Sequence, residues 1–319
     1  MLLGSIASCL PSLATINNLF SVAKTGSLVP DISLENTLHS FLSVDSSAAI
    51  NKQYADIQQQ LSAEQLSVFN QDLMSTLGGS TKVAFGGVGV VALALSLLLD
   101  ALVRKTTRQG EKNVMNTTNM ILGISNSSRI GSLIFEYMKL VPEMANKMDT
   151  MAEMTELYGQ YLNYELIDHF ERMTNKKRMG TVAMKEWLSG AAFHLHMRIH
   201  EIRMDSIPRG SAEALRMSYK TAFTSLIKLY TAYLRKHIQE TPPGTGTNNT
   251  SGLLVIEPQR NVTHSVQHSP CESKVIGDAL LTRIIASQDI EKSKDFFLQS
   301  ECNFYKLINQ RDDFELLKI

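Results

Sequence analysis

The stretch KVAFGGVGVVALALSLLLDALVRK, Lys82 to Lys105, carries no charge over the 17 residues from Val83 to Leu99. As one α-helix those residues would be about 26 Å long, at 1.5 Å of rise each. The hydrocarbon core of a bilayer is roughly 30 Å thick. Extension to Val103 supplies the missing length and brings in Asp100, which would sit near the interface, where a carboxylate costs less than at mid-bilayer. The sequence therefore reads 83–103 as a membrane element. Val83, Phe85, Val90, Leu95, Leu98 and Leu102 are its apolar contacts, and Arg104, Lys105 and Arg108 form an interfacial anchor. Gly86, Gly87 and Gly89 would each weaken a helix in water by about 1 kcal/mol, and small residues let membrane helices approach closely. Three states fit this pattern: a constitutive span, an apolar helix sheltered until it meets lipid, and a permanent core helix.

The flanks conflict over topology. Residues 1–82 hold three Lys and six acidic residues, whereas Arg104, Lys105, Arg108 and Lys112 follow the segment. The positive-inside rule then puts the C-terminal side in the cytoplasm. Yet the N-glycosylation sequons at Asn116, Asn126, Asn248, Asn249 and Asn261 all lie on that side, and their use requires the secretory lumen. The expected location is the membrane or the exterior of the cell.

Outside the segment the apolar residues recur at steps of three and four, the period of amphipathic helices. One such face, Ile50, Tyr54, Ile57, Leu61, Phe69, Leu73 and Leu77, predicts a single helix from about Ser47 to Leu77, and Gly78-Gly79-Ser80 ends it. A long helix is expected from about Ser128, with Met144, Met148, Met151 and Met154 in its stripe and Pro142 kinking or splitting it. Two more are expected at about 182–204 and 211–239. The fold class is thus all-α: an elongated bundle of long amphipathic helices around one strongly hydrophobic helix, occupying residues 1–240. Thr241–Gly252, TPPGTGTNNTSG, reads as a linker. Residues 253–319 then read as a small C-terminal helical appendage, in which Leu253–Ile256 is one short strand or an extended segment and Ser269-Pro270-Cys271-Glu272 has the form of a capping box. At the other end, residues 1–23 read either as an amphipathic helix or as a signal peptide with a cleavage site near Ser21-Val22-Ala23.

The composition narrows the function. Lys+Arg and Asp+Glu balance at 31 each, so no net field favours nucleic acid or an anionic membrane, and no nucleic-acid partner is expected. Fifteen Met against one Trp suit adaptable helix packing. With three Cys there is no disulfide framework, although Cys271 and Cys302 could pair in an oxidising compartment. The chain has no Gly-x-Ser-x-Gly and no Cys-x-x-Cys. Gly86-Gly87-Val88-Gly89 lacks the Lys-Ser/Thr of a phosphate-binding loop and follows no clear strand. In FHLHMRIHE, His196 and His200 are spaced i, i+4 with His194 and Glu201 nearby, and a zinc ion would still need a remote third ligand. His264, His268 and Cys271 form a second cluster. The plainer reading of FHLHMRIHE is a polar helix face that includes Arg198 and Arg203. Lys176-Lys177-Arg178 reads as a solvated helix end. No catalytic residue, metal or cofactor is assigned.

ATINNLFSVAKTGSLV, Ala14 to Val29, followed by a long Gln-rich amphipathic helix, resembles the rapunzel and cephalotoxin-like proteins, and VQHSPCESKVIGDALLTRIIASQDI, Val266 to Ile290, looks like a segment of the same group. The resemblance implies an elongated helical protein, secreted and toxin-like, with no catalytic signature. The arrangement of long amphipathic helices around one apolar segment is also similar to that of α-helical pore-forming proteins, an analogy of architecture. The function expected is non-enzymatic membrane interaction, pore-forming or toxin-like. The alternatives are a soluble or secreted helical interaction module and, more remotely, a metal-dependent enzyme. The expected partners are a lipid bilayer and either a second copy of the chain or another helical protein.

Overall fold

The computed structural model describes residues 12–107, 122–125, 127–175, 179–241, 251–257, 262–268 and 273–316. Among these the chain is an all-α bundle with two small antiparallel sheets. Its N-terminal helices are α1 (Leu13–Thr25), α2 (Asn36–Phe41), α3 (Ser46–Gln60) and α4 (Ala63–Thr76). Strand β1 (Lys82–Val83) and a turn lead into α5 (Gly89–Thr106). The central helices are α6 (Arg129–Met144), α7 (Met148–Asn175), α8 (Thr181–Arg203) and α9 (Arg209–His237). Strands β2 (Ile238–Thr241), β3 (Ser251–Glu257) and β4 (Val262–His268) follow, then α10 (Ser273–Ile285), α11 (Gln288–Cys302), α12 (Phe304–Asn309) and β5 (Phe314–Glu315).

Local chemistry sets the boundaries. The face from Ile50 to Leu77 is two helices, because Ser62 caps α4 in a reciprocal box: its hydroxyl accepts from Gln65 N–H, and Gln65 accepts from Ser62 N–H at 3.1 Å. The box stands in the sequence as Ser62-x-x-Gln65, at the one long gap in that face. The helix starting at Ser128 is also two. Ser128 caps α6, Pro142 stands in its last turn, and the chain breaks at residues 145–147 before α7 begins. Of the methionine stripe, Met144 and Met151 are buried and Met148 is 36 % exposed, so the stripe bends away from the core at that break.

The strands differ most from the sequence reading. β2, β3 and β4 form an antiparallel meander in which Thr241 pairs with Gly252 and Val255 with His264. Both ends of the expected linker are therefore strand, and residues 242–250 lie outside the described residues. The C-terminal helices are fastened to the bundle. The Ser293 hydroxyl donates to Ile32 O at 2.9 Å, α11 packs on α9, and α12 packs on α8. Helix α1 packs on α10, so the two stretches 14–29 and 266–290 meet in space, with Arg283 over the Phe20 ring.

The core centres on α5 and α8. Helix α5 packs against α2, α3, α4, α6 and α8, and Val90–Ser96, Leu99 and Leu102 are buried. Truncation there loses transfer energy and leaves a cavity. Leu93→Ala is expected to cost about 2–5 kcal/mol, and Ser62→Ala about 0.5–2 kcal/mol. Urea unfolding of the two variants checks the ranking, which fails if the Leu93 variant is the more stable of the two.

Candidate functional site

The apolar segment and its immediate enclosure form the candidate site. Residues 83–103 are not one helix. Val83 is in β1, Phe85 occupies the turn with φ +54°, and the helix starts at Gly89 with φ +59°. Val90, Leu95 and Leu102 are buried on α5. Leu98 is half-buried and, with Leu97, Ala101, Phe135, Met138 and Pro142, lines an apolar cavity of ≈ 210 Å³. Among the described residues no helix is long and apolar enough to cross a membrane. Of the expected anchor, Lys105 pairs with Asp72 at 2.8 Å and Arg104 stands in the last turn of α5. Arg108 lies outside the described residues, as do Asn116, Asn126, Asn248, Asn249, Asn261 and Cys271. Cys302 is a free, exposed thiol.

The glycines have a different purpose from the one the sequence suggested. They precede the helix or open it, and they admit backbone and a buried cation. A methyl group on Gly86 would lie 2.7 Å from Phe314 Cβ, and one on Gly87 would lie 2.8 Å from Asp312 O. The C-terminal strap, residues 311–316, is thereby pressed onto the turn. β1 pairs with β5, Gly87 N–H donates to Asp312 O at 2.9 Å, and Leu316 N–H donates to Thr81 O at 2.8 Å. Phe85 N–H donates to the Asp313 carboxylate at 2.9 Å, which also pairs with Lys82 at 2.8 Å. A short strand does precede the glycine turn, but Asp312 and Phe314 occupy the face that a phosphate would need.

Below the turn runs α8. Its expected polar face is absent: Trp187–Met197 and Ile199–Arg203 are buried without interruption. The cause is the packing of small and apolar residues around the histidines, with Ala191, Ala192, Phe193, Leu195, Met197 and Ile199 covering the remaining sides. His194 Nδ1 shares a 2.6 Å hydrogen bond with the Tyr219 hydroxyl. His194 Nε2 and both ring nitrogens of His196 and His200 have no partner among the described residues. His196 faces Phe296 of α11, and His200 meets Phe85 edge-on. No group of three His, Cys, Asp or Glu among the described residues could hold a metal ion, so His196 and His200 are not brought to a third ligand. His264 falls opposite Val255 in the meander.

Arg203 closes the site. It is 1 % exposed. Its Nε donates to Leu307 O and its Nη2 to Gln310 Oε1, both at 3.0 Å. Gln310 Nε2 donates to Val44 O at 2.9 Å. Burial pushes Arg203 down to about 9, with Arg311 adding to the effect and Asp312 opposing it, so it stays cationic at neutral pH. Burial holds His194, His196 and His200 down to about 3; Arg198 adds to this at His194, Arg203 at His196 and His200, and Arg311 at His200. On the same helix, burial raises Glu201 against the pull of Arg198, which donates to its carboxylate at 3.0 Å. No known family, curated protein or solved structure matches the chain.

The strap and the histidines generate separate predictions. Gly87→Ala should loosen the strap, with amide exchange in residues 312–316 faster by about tenfold or more, equivalent to about 1.4 kcal/mol of local opening. Unchanged exchange there would contradict the clamp. For the histidines the sign is fixed by pKa values that folding lowers. Their stabilisation is present above the unfolded value of about 6.5 and is lost as pH falls from there towards 3, at about 1.4 kcal/mol per pH unit for each neutral buried ring. Asp100, Glu186 and Glu201, which burial raises, take up protons first in the folded chain and offset part of that loss. Urea midpoints at pH 7 and pH 5 should therefore fall steeply, and His196→Leu should reduce the dependence by about one proton. Equal midpoints at the two pH values would refute this account.

Proposed function

We propose that this chain is a non-enzymatic, conditionally membrane-active helical protein, which stores an apolar helix inside its bundle and delivers it to lipid when the bundle opens in acid. The observation that carries the reading is the pairing of two features at one place. Helix α5 is enclosed by its neighbours, and the buried helix beside it carries three neutral histidines whose ring nitrogens are largely unpartnered. Protonation puts uncompensated charge into an apolar interior, which opposes the closed state.

Lengths decide how delivery works. In the closed form the uncharged part of α5 is 89–99, about 16 Å at helical rise, roughly half the hydrocarbon thickness. Such a helix enters one leaflet only. Release of the strap frees Val83–Val88 to join it, and the uncharged length then returns to about 26 Å. Burial already raises Asp100 at the far end, so acid favours its neutral form and lowers the cost of bringing it to the interface. A pore-forming or toxin-like action follows this route and needs no bond chemistry. A lipid bilayer is then the principal partner, and self-association of inserted helices is the path to a pore.

The enclosure of α5 also favours a second reading, a helical interaction module whose core helix never leaves. Dye release from vesicles containing anionic lipid separates the two. The membrane reading expects release at pH 5 and little at pH 7, with Gly87→Ala shifting the onset to higher pH. The core-helix reading expects none at either pH, and deletion of 83–103 should then abolish folding. Absence of both flotation with vesicles and dye release at pH 5 rules out membrane delivery.

A further inference from the structure

The first turn of α5 lies in the interior with donors unmet. Gly89 N–H reaches Ser46 Oγ at a long 3.4 Å. Val90 and Val91 N–H have no acceptor among the described residues, and both residues are fully buried. The N-cap, Val88, has no side-chain acceptor to offer. A helix start is the positive end of the helix dipole and normally receives a polar cap, water or an anion.

Facing this turn is a second unmet donor. Arg203 Nη1 has no partner, and a methyl group on Gly89 would lie 2.5 Å from it. The guanidinium is thus aimed at the first residue of α5. Both of its hydrogen bonds go to neutral oxygens, those of Leu307 and Gln310. Among the described residues Arg203 makes no ion pair, and His200 beside it has both ring nitrogens free. A buried cation and a helix positive end therefore confront each other with no carboxylate paired to either, Asp312 acting on Arg203 only through space. Unpaired buried charge is disfavoured, and buried donors are nearly always satisfied.

We propose that the start of α5 and Arg203 together bind a small monovalent anion of the chloride class, held by the Val90 and Val91 N–H groups and Arg203 Nη1. The closure of the site sets the size, since Gly89, Val90, Val91 and Arg203 are all buried and leave no path for a bulky polyanion. One guanidinium with the partial charge of one helix end sets the valence. The site stands whether or not the protein enters membranes, so its test is separate from vesicle assays.

The test uses the full chain at pH 7.5 and constant ionic strength, with chloride exchanged for gluconate. Past saturation, each tenfold rise in chloride is expected to raise the folding equilibrium constant tenfold, seen as a rising unfolding midpoint. Chloride-35 NMR should show excess line broadening with the folded protein that bromide displaces. Arg203→Gln should remove both effects. If that variant does not fold, Val90→Pro removes one donor at a first-turn position that tolerates proline, keeps the guanidinium, and should weaken the broadening. Equal midpoints in chloride and gluconate without excess broadening would overturn the proposal, as would broadening that survives both substitutions. Water filling the site in place of an anion gives that same negative result.

Discussion

The hydrogen bonding of Arg203 is the constraint on which the rest depends. One guanidinium at the end of α8 holds the Leu307 carbonyl of α12 and the side chain of Gln310, which joins α12 to the strap, and rests against the first residue of α5. Through Gln310 the connection reaches Val44, ahead of α3. Four segments distant in sequence are thereby fixed around one charge. A neutral residue of similar volume would avoid the desolvation cost, and buried charges are often replaceable without loss of stability. What an apolar replacement could not do is hold a carbonyl, an amide and a helix start in one register. The guanidinium is planar and presents its donors in a rigid fork, which suits three partners arriving from three directions.

The glycine turn follows from that arrangement. With Arg203 against Gly89, the Phe314 side chain of the strap against Gly86 and the Asp312 backbone against Gly87, no side chain fits at these positions without displacing a contact. The positive φ at Gly89 lets α5 begin abruptly, directly over the cation. The helix that results is apolar almost all round, so it must be enclosed, and α2, α3, α4, α6 and α8 enclose it. Towards its far end Gln53 Nε2 donates to Asp100 Oδ1 and to Ser96 O, while the buried Thr106 hydroxyl has no partner among the described residues. The most hydrophobic element thus has its carboxylate hydrogen-bonded towards its C-terminal end and its first-turn donors unmet at its start.

Much of the fold was legible. The three-and-four periodicity placed the helices of the bundle, because each buries one stripe and the spacing of that stripe survives in the residues. Gly78-Gly79 as a stop and Pro142 as a break follow from backbone sterics alone, and both glycines take positive φ. The Ser62-x-x-Gln65 box is local chemistry as well, but the stripe that continues past it hid it, and one helix was expected where α3 and α4 stand. Of the strands only β3 was legible, through Leu253–Ile256. β1 and β5 are two residues each and separated by more than two hundred positions, so neither carries a period, and their pairing is a tertiary event. The site was half legible: the uncharged run marked α5, but whether Gly86, Gly87 and Gly89 serve a membrane contact or a strap depends on what arrives from the other end of the chain. The histidines misled for a related reason. FHLHMRIHE looks polar by residue type, yet Ala191, Ala192, Phe193, Leu195, Met197 and Ile199 leave no consistently exposed side. A helix with apolar residues on every face is an interior helix whatever polar groups it carries.

Cation and histidines together set the balance of the closed state. Arg203 and Arg311 already disfavour the charged form of His200, so each proton that enters α8 meets a positive field as well as an apolar interior. A counter-anion at the start of α5 would weaken that field, making protonation easier while it strengthens the contact between α5 and Arg203. Its two effects on stability thus have opposite signs below neutrality and one sign above it. The closed state is held by satisfied geometry and opposed by unsatisfied charge, both centred on the same few ångströms between Gly89, His200 and Arg203. A modest change in protonation there acts on the glycine turn and on the C-terminal residues that Arg203 holds, and through the β1–β5 pairing and the Gly87–Asp312 hydrogen bond it reaches the strap.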